Sequence, residues 1–536
     1  MSLSKIILAC DLGTTGIKTC IFEVGENHLE LIDAEMASYP LQILENGGAE
    51  QEPELWWEAM CRTTTGLLKK TGLDPESISG ISFCSQMQAL VLIDRQGKTL
   101  RPAMIYMDQR AGIEMKKAMG HGLTIAGINI FKLLISIRET GAVSASVKDP
   151  VFRYLWVKAN EPEIFQNVYR WLDAKEYLIG RMTGRWIMTE DSAFATLLYD
   201  TRKRSLGWSK KVCAMLDVNL NHLPEIMLST DKVGPLSNEA AEKLGLHPGT
   251  PVFGGGGDAS LIGIGAGAIN PGDTHIYTGT SGWVSTVVEK QMIDLGTIVA
   301  AIIGANPSSF NYFAEMETAG KCLEWVRDNL ALDLLGIYDK PSLYCESTEA
   351  TYKNIYAHLT GLAAQVPAGS RGVIFTPWLH GNRCPFEDSK ARGIFFNLGL
   401  ETGKSEMIRA VIEGVCYHLR WMLEAQDRKI TTSKTIRYAG GGALSETTCQ
   451  VLADVTGRTV ETIKEPQNAG SVGAALVAGL GLGVIDSFEA VKEIVKPSKV
   501  FKAQAINKPI YDRGFAVYKQ LYRSNRKHFE KLNADK

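Results

Sequence analysis

Apolar residues recur along the chain with two different spacings, and each spacing predicts one kind of element. Short apolar runs that end in glycine- or hydroxyl-rich turns are typical of buried strands. Apolar residues at every third or fourth position are typical of helices that pack on one face. Strand-like runs are found at residues 6–10, 78–83, 273–278 and 437–439, and helical spacing is found at 149–159, 408–419 and 511–529. The pattern therefore predicts strands and helices mixed along the whole chain.

The first strand-like run opens a predicted hairpin with a polar tip. Residues 11–16 read as a tight turn between two strands, and Lys18 follows directly. The tip supplies two glycines, two threonine hydroxyls and several backbone N–H groups, which together suit a phosphate group. Asp11 suits a magnesium ion, bound directly or through water. An ordinary glycine–threonine turn explains the same stretch without any ligand.

Four consecutive glycines near the middle of the chain make a second candidate site. Residues 254–257 follow a short apolar run and are followed at once by Asp258. Glycine lets the backbone adopt positive φ and lets a ligand come close, so this arrangement presents a single carboxylate to a bound group. The alternative is a turn whose aspartate only caps the next helix. Residues 247–249 form a turn cluster just before this stretch and predict a domain boundary.

A second hairpin repeats the pattern of the first. Residues 273–278 and 283–288 read as strands around the tip 279–282, which again combines glycine with hydroxyl residues. The repetition predicts two related domains that close on one nucleotide. Further along, the glycines 440–442 end a strand, where the backbone can approach a flat ring closely. A plain strand-to-helix turn is the alternative there.

Two polar clusters in the first half suit a small polar ligand. Residues 85–88 interrupt apolar strands and are expected to face a cleft, and Asp108 and Arg110 follow the apolar run 104–107. If that stretch is extended, the carboxylate and the guanidinium point the same way and can grip sugar hydroxyls. A surface salt bridge is the alternative. Residues 173–226 show no chemistry on which a function can be based.

The length and composition of the chain limit which binding partners are expected. A chain of 536 residues exceeds what one hydrophobic core supports, and its net charge of −2 gives no sequence-wide positive field for nucleic acid or an anionic membrane. The ten cysteines include no CxxC pair and no zinc-like grouping. No run approaches the roughly 18 apolar residues of a membrane span. We therefore expect a cytoplasmic protein with reduced thiols, a small-molecule partner, and no nucleic-acid or membrane partner.

In their order and spacing, these stretches resemble the FGGY carbohydrate kinases, and within that family the xylulokinases. The resemblance rests on residues 11–16, 51–57, 86–87, 108–110, 155–163, 254–258, 278–282, 381–393 and 440–442. It implies an α/β fold with two actin-like (ribonuclease H-like) ATPase domains that flank a deep cleft. The implied divisions are an N-terminal domain at 1–249, a C-terminal domain at 250–490, and a helical segment at 491–536 that packs back on the body.

The resemblance also implies roles for single residues. Asp258 resembles the family's catalytic base, which contacts the sugar and accepts the proton of the attacking hydroxyl, and Asp11 is expected to help hold Mg²⁺. The other expected sugar contacts are Met87, Gln88, Asp108 and Arg110. The expected ATP contacts are Gly13, Thr14, Thr15, Lys18, Gly279, Thr280, Gly320, Gly441 and Gly442. Family habit suggests a homodimer.

The sequence departs from the xylulokinase pattern at positions that are expected to matter. Gln88 stands where His is usual, Tyr106 where Trp is common, Asn382 where Glu is common and Cys384 where Thr is common, and Asn397 replaces a usual glycine. One changed hydrogen-bonding side chain can change the substrate of an enzyme. D-Xylulose is the first expectation, and L-ribulose, gluconate, a tetritol or another polyol or ketose stay open.

Two other classes of protein share parts of this pattern. An actin-like ATPase that transfers no phosphoryl group to a sugar would keep the fold, but it needs no polar pocket such as residues 85–88 supply. A sugar-sensing repressor would need a DNA-binding helix pair and a basic patch, and the sequence shows neither. Both are weaker explanations than a sugar kinase.

Overall fold

The computed structural model describes residues 4–125, 127–202, 206–330 and 349–534. The strands up to the glycine run are β1 (Lys5–Leu12), β2 (Gly16–Gly25), β3 (His28–Ser38), β4 (Gln42–Ile43), β5 (Ala49–Gln51), β6 (Ile78–Ser85), β7 (Val91–Ile93), β8 (Ala103–Met104), β9 (Thr124–Ile125), β10 (Ile128–Asn129), β11 (Arg170–Leu172), β12 (Ile187–Thr189), β13 (Glu225–Met227), β14 (Lys232–Pro235), β15 (Pro251–Phe253) and β16 (Gly256–Gly257). The later strands are β17 (Thr274–Thr278), β18 (Gly282–Val288), β19 (Ile293–Asp294), β20 (Val299–Ile303), β21 (Phe310–Met316), β22 (Ile374–Thr376), β23 (Ile394–Phe396), β24 (Thr435–Ala439), β25 (Thr459–Thr462) and β26 (Lys499–Phe501).

The α-helices lie between these strands. They are α1 (Pro53–Thr71), α2 (Gly112–Met119), α3 (Ile130–Thr140), α4 (Pro150–Asn160), α5 (Pro162–Phe165), α6 (Ala174–Thr183), α7 (Glu190–Ala195), α8 (Lys210–Met215), α9 (Asn238–Leu244), α10 (Asp258–Gly265), α11 (Gly320–Leu330), α12 (Glu349–Ala364), α13 (Lys404–Gln426), α14 (Glu446–Thr456), α15 (Ala469–Gly481), α16 (Val491–Ile494) and α17 (Lys508–Leu532).

The first sheet is built around the predicted hairpin β1–β2. β1 pairs antiparallel with β2 and parallel with β6, and the order across the sheet is β14-β15-β6-β1-β2-β3, with β16 also on β6. Alternate residues of β1 face opposite sides, so that Leu8 and Cys10 pack with α1 while Ile7 and Ala9 pack with α15. A strand that is apolar on both faces requires such cover on both sides.

The second sheet repeats this arrangement around the hairpin β17–β18. β17 pairs antiparallel with β18 and parallel with β24, and β18 pairs antiparallel with β21. The order is β19-β20-β21-β18-β17-β24-β25-β26. In both sheets the hairpin therefore has an antiparallel strand on one side and a parallel strand on the other. The prediction of two related α/β domains is confirmed.

Helices α10 and α15 pack against each other and join the two halves. A Cβ at Gly473 would lie 2.3 Å from the carbonyl oxygen of Leu261, and a Cβ at Gly265 would lie 1.9 Å from that of Ala469. Glycine at these positions lets the two helix backbones touch. Their apolar cluster also contains β1 and β2 residues and Trp283 of β18. The helix that begins at Asp258 is thereby fixed to the first sheet.

The predicted domain boundary at residue 249 follows the turn at residues 247–249, and the strand pairing on either side of this turn favours a later boundary. β15 pairs with β14 on one side and with β6 on the other, so a boundary at residue 249 lies between two paired strands of one sheet. The glycine- and proline-rich turn there connects β14 to β15 through the short helix α9. We propose instead that the boundary lies between residues 265 and 274, where α10 ends and the second sheet begins.

The polar residues 85–88 mark the end of the first sheet. The apolar run that follows them forms β7, which pairs with β11 in a separate two-stranded sheet. β7 therefore does not continue the sheet that β6 belongs to. The polar residues between these two strands turn the chain from one sheet to the next. Ser85 and Gln86 are buried, whereas Met87 and Gln88 are partly exposed.

The C-terminal helix α17 packs back on the second domain. Its predicted packing face is buried and consists of Tyr511, Phe515, Tyr518, Tyr522 and Phe529. The Tyr518 hydroxyl lies 2.8 Å from Nδ1 of His418 on α13. The nine cysteines within the described ranges are free thiols, and Cys345 lies outside those ranges. In the described part of the chain, no helix combines the length and the apolar character that a bilayer crossing needs.

Candidate active site

Asp258 stands at the start of α10, directly after the glycine turn. Gly255 has a φ of +62°, and a Cβ there would lie 2.2 Å from the carbonyl oxygen of Phe83. The turn therefore requires glycine. Gly257 is the N-cap of the helix, and Oδ1 of Asp258 accepts a hydrogen bond from the Ala259 N–H at 2.7 Å. The carboxylate thus makes one local contact at the helix end, but it is not the capping residue.

The surroundings of Asp258 favour its protonated form. Burial raises the pKa of this carboxyl to about 7 against the opposing effect of the Ala259 N–H, and the negative charges of Asp11 and Glu315 add to the rise. No ion pair joins Asp258 to another residue of the described ranges. A carboxyl with a pKa near 7 gains and loses a proton near neutral pH, which suits a general base.

The Met87–Gln88 segment lies against the same glycine turn. A Cβ at Gly257 would fall 2.2 Å from Sδ of Met87. Gln88 has a φ of +67°, which is uncommon for a residue other than glycine. Its N–H donates to Oδ2 of Asp173 at 2.7 Å, and its Nε2 donates to the carbonyl oxygen of Ala195 at 3.3 Å. The fold therefore brings these two predicted sugar contacts next to the residue that precedes Asp258.

Asp108 and Arg110 form a buried ion pair, so the alternative of a surface salt bridge is wrong. Nη2 of Arg110 lies 2.6 Å from Oδ2 of Asp108 and 2.6 Å from Oε1 of Glu50. The expectation that this stretch is extended is wrong. The Asp108 N–H donates to the carbonyl oxygen of Ile105 and closes a turn. The guanidinium also stacks on Trp156, at 4.5 Å from the ring centroid. The two groups point at each other rather than in parallel.

The tip of the first hairpin is fixed through its carbonyl groups. The Tyr39 hydroxyl donates to the carbonyl oxygen of Gly13, and Nε2 of Gln51 donates to that of Thr14 at 2.7 Å. The Thr14 hydroxyl lies 3.3 Å from the hydroxyl of Tyr106. Because the carbonyls are engaged with the surrounding protein, the turn is held in one conformation.

Lys18 and Thr15 differ in what they can offer to a phosphate. Nζ of Lys18 donates to the carbonyl oxygen of Gln467 at 3.1 Å and to Oδ1 of Asn468 at 3.0 Å, at the start of α15. A phosphate contact by Lys18 therefore requires it to leave these partners. Thr15, in contrast, is exposed at the tip.

The predicted nucleotide-binding glycines gather around the second hairpin. The Gly320 N–H donates to the carbonyl oxygen of Gly279 at 2.8 Å, and the carbonyl of Thr280 accepts the next hydrogen bonds from the start of α11. A Cβ at Gly442 would lie 2.1 Å from a threonine hydroxyl of β17, whereas a Cβ at Gly441 would meet nothing within 4 Å. Three separate segments of backbone thus approach one another here, and Gly441 borders open space.

The two halves of the molecule meet at Asp11. A Cβ at Gly470, in the first turn of α15, would lie 2.7 Å from Oδ2 of Asp11. On the other side, burial raises the pKa of the Tyr277 hydroxyl, and the neighbouring charges of Asp11 and Asp258 add to this rise. Tyr277 lies on β17 and packs against the apolar cluster that contains Ile7 and Ala9 of β1, so the second hairpin lies beside the strand that ends at Asp11. Both hairpins therefore border one site.

Asp11 is the residue that the sequence predicts to help hold Mg²⁺. Burial raises the pKa of its carboxyl, while the charge of Lys18 opposes this rise. The described residues include no group of three or more His, Cys, Asp or Glu side chains that could hold a metal ion. Mg²⁺ commonly takes one or two carboxylates and completes its shell with water and substrate phosphates. The site therefore suits an ion that arrives with a nucleotide, and it does not suit an all-protein metal centre.

Several residues of the site were missed in the sequence. Asp173 and Asp191 belong to a stretch in which the sequence showed no chemistry, yet their buried carboxylates bond the backbone of Gln88 and of Gly257. One feature of the sequence could have revealed them: charged residues stand next to an apolar run that is expected to be buried, since Asp173 and Lys175 precede residues 177–179. Charges in such a place are costly unless they are paired.

Two family models match the chain. The N-terminal domain of the FGGY family of carbohydrate kinases matches residues 6–265, and the C-terminal domain of the same family matches residues 275–482. The chain belongs to the FGGY family of carbohydrate kinases. The predicted fold and enzyme class are confirmed: the chain is a carbohydrate phosphotransferase of the two-domain, actin-like fold. Family membership implies a sugar as acceptor and ATP as phosphate donor, which speaks against both alternative classes.

Relatives with two different substrate names are similar over nearly the whole chain. A protein of Bacillus subtilis (strain 168) named xylulose kinase is 30% identical over 524 residues, covering 97% of each chain. A protein of the same organism named gluconokinase is 28% identical over 501 residues, covering 92% of this FGGY kinase and 91% of the relative. The structure of a ligand-bound xylulose kinase from Lactobacillus acidophilus superimposes with a TM-score of 0.82 at 25% identity, covering 99% of this chain and all of the other.

Proposed function

We propose that this FGGY kinase transfers the γ-phosphoryl group of Mg·ATP to a hydroxyl of a small open-chain sugar, with Asp258 as the general base. The observation that carries the proposal is the position of Asp258. Its carboxyl begins α10 on a turn that requires glycine, lies next to the Met87–Gln88 segment, and has a pKa of about 7. Such a group accepts a proton readily at the pH of a cell.

In the proposed reaction the sugar hydroxyl attacks the γ-phosphorus of ATP in line with the leaving ADP oxygen. A new P–O bond forms to the sugar, the bond to ADP breaks, and Asp258 accepts the hydroxyl proton. Phosphoryl transfer depends mostly on positioning and on neutralising charge. The turn at 254–257 supplies the positioning, because its backbone leaves Asp258 little freedom relative to Met87.

The nucleotide is expected to lie against the second hairpin. Gly279, Gly320 and Gly442 allow close backbone approach there, and Gly441 borders the open space beside them. Asp11 would hold Mg²⁺ together with water and phosphate oxygens, and the ion would neutralise charge on the phosphates. Asp11 and Asp258 are like charges in one site, so a cation between the substrates and these groups is favoured electrostatically.

D-Xylulose is the first candidate acceptor and D-gluconate is the second. Most of the similar proteins named above are xylulose kinases, and this supports the ketopentose. The gluconokinase of comparable identity and the presence of Gln88 in place of the usual His support a change of acceptor. L-Ribulose, a tetritol and other polyols complete the panel. A coupled assay of ADP release with Mg·ATP and each acceptor separates these possibilities by kcat/KM.

Replacement of Asp258 by Asn tests the assignment of the base. Asp258→Asn should lower kcat by at least about 10²-fold, the usual scale for a positioned proton acceptor, while KM for ATP and for the sugar stays near that of the wild type. Asp454→Asn is a matched control, because Asp454 is a buried carboxylate of α14 in the second domain. It should leave kcat unchanged. Turnover of Asp258→Asn close to that of the wild type would rule out Asp258 as the base.

A further inference from the structure

A buried polar network lies directly behind the glycine turn and the Gln88 backbone. It consists of Asp173, Lys175, Glu176, Thr189, Asp191 and Ser192, which are all between 0 and 3% exposed. We infer that this network sets the position of the catalytic base relative to the acceptor-binding backbone, and that Asp191 is a positioning residue for Asp258. The inference rests on the proposed function, since it acts through Asp258.

Asp191 is attached directly to the turn that carries the base. Its Oδ2 accepts the N–H of Gly257 at 2.7 Å, and its Oδ1 accepts the hydroxyl of Thr189 at 2.5 Å. Gly257 is the N-cap of α10, and its peptide unit joins it to Asp258. The Gly257 N–H has no freedom to move away without leaving a buried carboxylate oxygen unpaired. The position of Asp258 is therefore tied to that of Asp191.

Lys175 holds Asp191 and its neighbours together. Nζ of Lys175 donates to the Thr189 hydroxyl at 2.5 Å, to the Ser192 hydroxyl at 2.8 Å and to the Glu176 carboxylate. These three bonds use all the donors of an ammonium group. Burial opposes ionisation of Asp191, but the charge of Lys175 holds the pKa of this carboxyl below its usual range. All three donors of Lys175 are thus used, whereas Oε2 of Glu176 has no hydrogen-bond partner within the described residues.

Asp173 fixes the Gln88 backbone to the start of α6, the helix that also carries Lys175. Its Oδ2 accepts the Gln88 N–H at 2.7 Å, and its Oδ1 accepts the N–H groups of Ala89 at 2.8 Å and Ala174 at 2.7 Å. Asp173 is the N-cap of α6, and Lys175 is the second residue of that helix. The start of α6 therefore holds the Gln88 backbone through Asp173. It reaches the turn before Asp258 through Lys175, the Thr189 hydroxyl and Asp191 of α7.

Buried charges in this network are better explained by the positioning of the site's backbone than by a gain in the stability of the fold. Burying one lysine with three carboxylates is costly, and apolar residues of the same size would pack such a place as well or better. What apolar residues cannot do is accept the N–H groups of Gln88, Ala89 and Gly257. Phosphoryl transfer needs this accuracy, because a misplacement of about 1 Å can cost about 10²-fold in rate.

The test compares Asp191→Ala with Asp173→Ala in steady-state assays over ATP and sugar. Asp191→Ala should lower kcat by about 10- to 100-fold, the scale expected when a base is displaced, with KM for both substrates within about threefold of the wild type. Asp191→Asn keeps an oxygen for the Gly257 N–H and should recover a large part of kcat. Asp173→Ala should mainly raise KM for the sugar, because it releases the Gln88 backbone. Asp454→Ala, a buried carboxylate outside the network, should lower Tm without changing kcat.

A double-mutant cycle with Asp258→Asn decides whether Asp191 acts through the base. In the Asp258→Asn background, Asp191→Ala should lower the residual turnover by less than about twofold, since the group that it positions is gone. If Asp191→Ala does not fold, Asp191→Leu, which also removes the acceptor of the Gly257 N–H, replaces it in the same cycle. An unchanged kcat of the folded Asp191→Ala or Asp191→Leu variant, a multiplicative effect in the cycle, or an equal rise in KM for both substrates would overturn the inference. Any of these three results would leave the assignment of Asp258 as the base intact. Normal turnover of the Asp258→Asn single variant would instead rule out the proposed function.

Discussion

Removal of the charge at Asp258 is expected to stabilise the ligand-free enzyme above neutral pH, although it abolishes most of the activity. The reason is that the fold holds this carboxyl where ionisation is unfavourable. Burial and the charges of Asp11 and Glu315 raise its pKa from 3.8 to about 7. In the ligand-free enzyme, ionisation of this carboxyl therefore lowers the free energy of unfolding.

The direction of the pH dependence follows from the two pKa values. Below pH 3.8 the carboxyl is protonated in both folded and unfolded chains, so it has no effect on stability. Between pH 3.8 and about 7 the unfolded chain releases the proton and the folded chain keeps it, so the wild type loses stability as the pH rises. Above about pH 7 the loss is complete. A rise of three pKa units corresponds to about 4 kcal/mol, and because Asp258 is partly exposed we expect about half of this, ~2 kcal/mol.

The measurement is the thermal unfolding of wild type and Asp258→Asn without ligands, at several values of pH from 5 to 8. The variant's advantage in Tm should grow by about 3–5 °C between pH 5 and pH 7 and then stay level, since 1 kcal/mol shifts the Tm of a large domain by about 2–4 °C. Asp454→Asn should instead lower Tm throughout, because Asp454 accepts bonds from the Gln504 N–H and the Asn507 amide, both at 2.8 Å. A variant whose advantage is the same at pH 5 and pH 8 would refute the reasoning.

Two further results are expected. Acceptor kcat/KM should rise about tenfold per pH unit below about pH 7 and level off above it, because Asp258 has to be ionised in the free enzyme to accept a proton; a profile that is flat from pH 5.5 to 8 would contradict this. Gly441→Ala should raise KM for ATP several-fold at unchanged Tm, because its methyl group would enter the open space beside the second hairpin. Gly361→Ala is the matched control, since it also faces open space but lies on α12, and it should leave KM for ATP unchanged; equal effects of the two substitutions would remove Gly441 from the nucleotide site.

The parts of this fold that the sequence predicts well are those that depend on neighbouring residues. Both hairpins, the glycine turn before Asp258 and the packing face of α17 are present where the local patterns place them. The reason is that strand alternation, helical spacing and the need for glycine at Gly255 are properties of short segments. Repetition of the strand–tip–strand pattern was enough to indicate two related domains.

The parts that could not be predicted depend on partners far along the chain. Arg110 meets Glu50 because β5 pairs with β8, and Lys18 donates a hydrogen bond to Asn468, which lies 450 positions further on. The role of Asp191 is equally non-local, because Gly257 is 66 positions away. No periodicity in a single sequence records such pairings. A charged residue within a buried segment indicates that a partner exists, but it does not identify the partner.

Gln88, the proposed acceptor contact, is held mainly through its backbone. Its φ of +67° limits which residues fit there, but the bond to the Asp173 carboxylate uses the main-chain N–H, which every residue except proline supplies. The Gln88 amide donates one N–H of Nε2 to the carbonyl oxygen of Ala195, which leaves the second N–H, the amide oxygen and the shape of the side chain to select a ligand. Asp258 is fixed separately through Gly257. If Gln88 contacts the acceptor as proposed, a substitution at residue 88 should alter which hydroxyls are recognised while the base and the nucleotide site stay as they are.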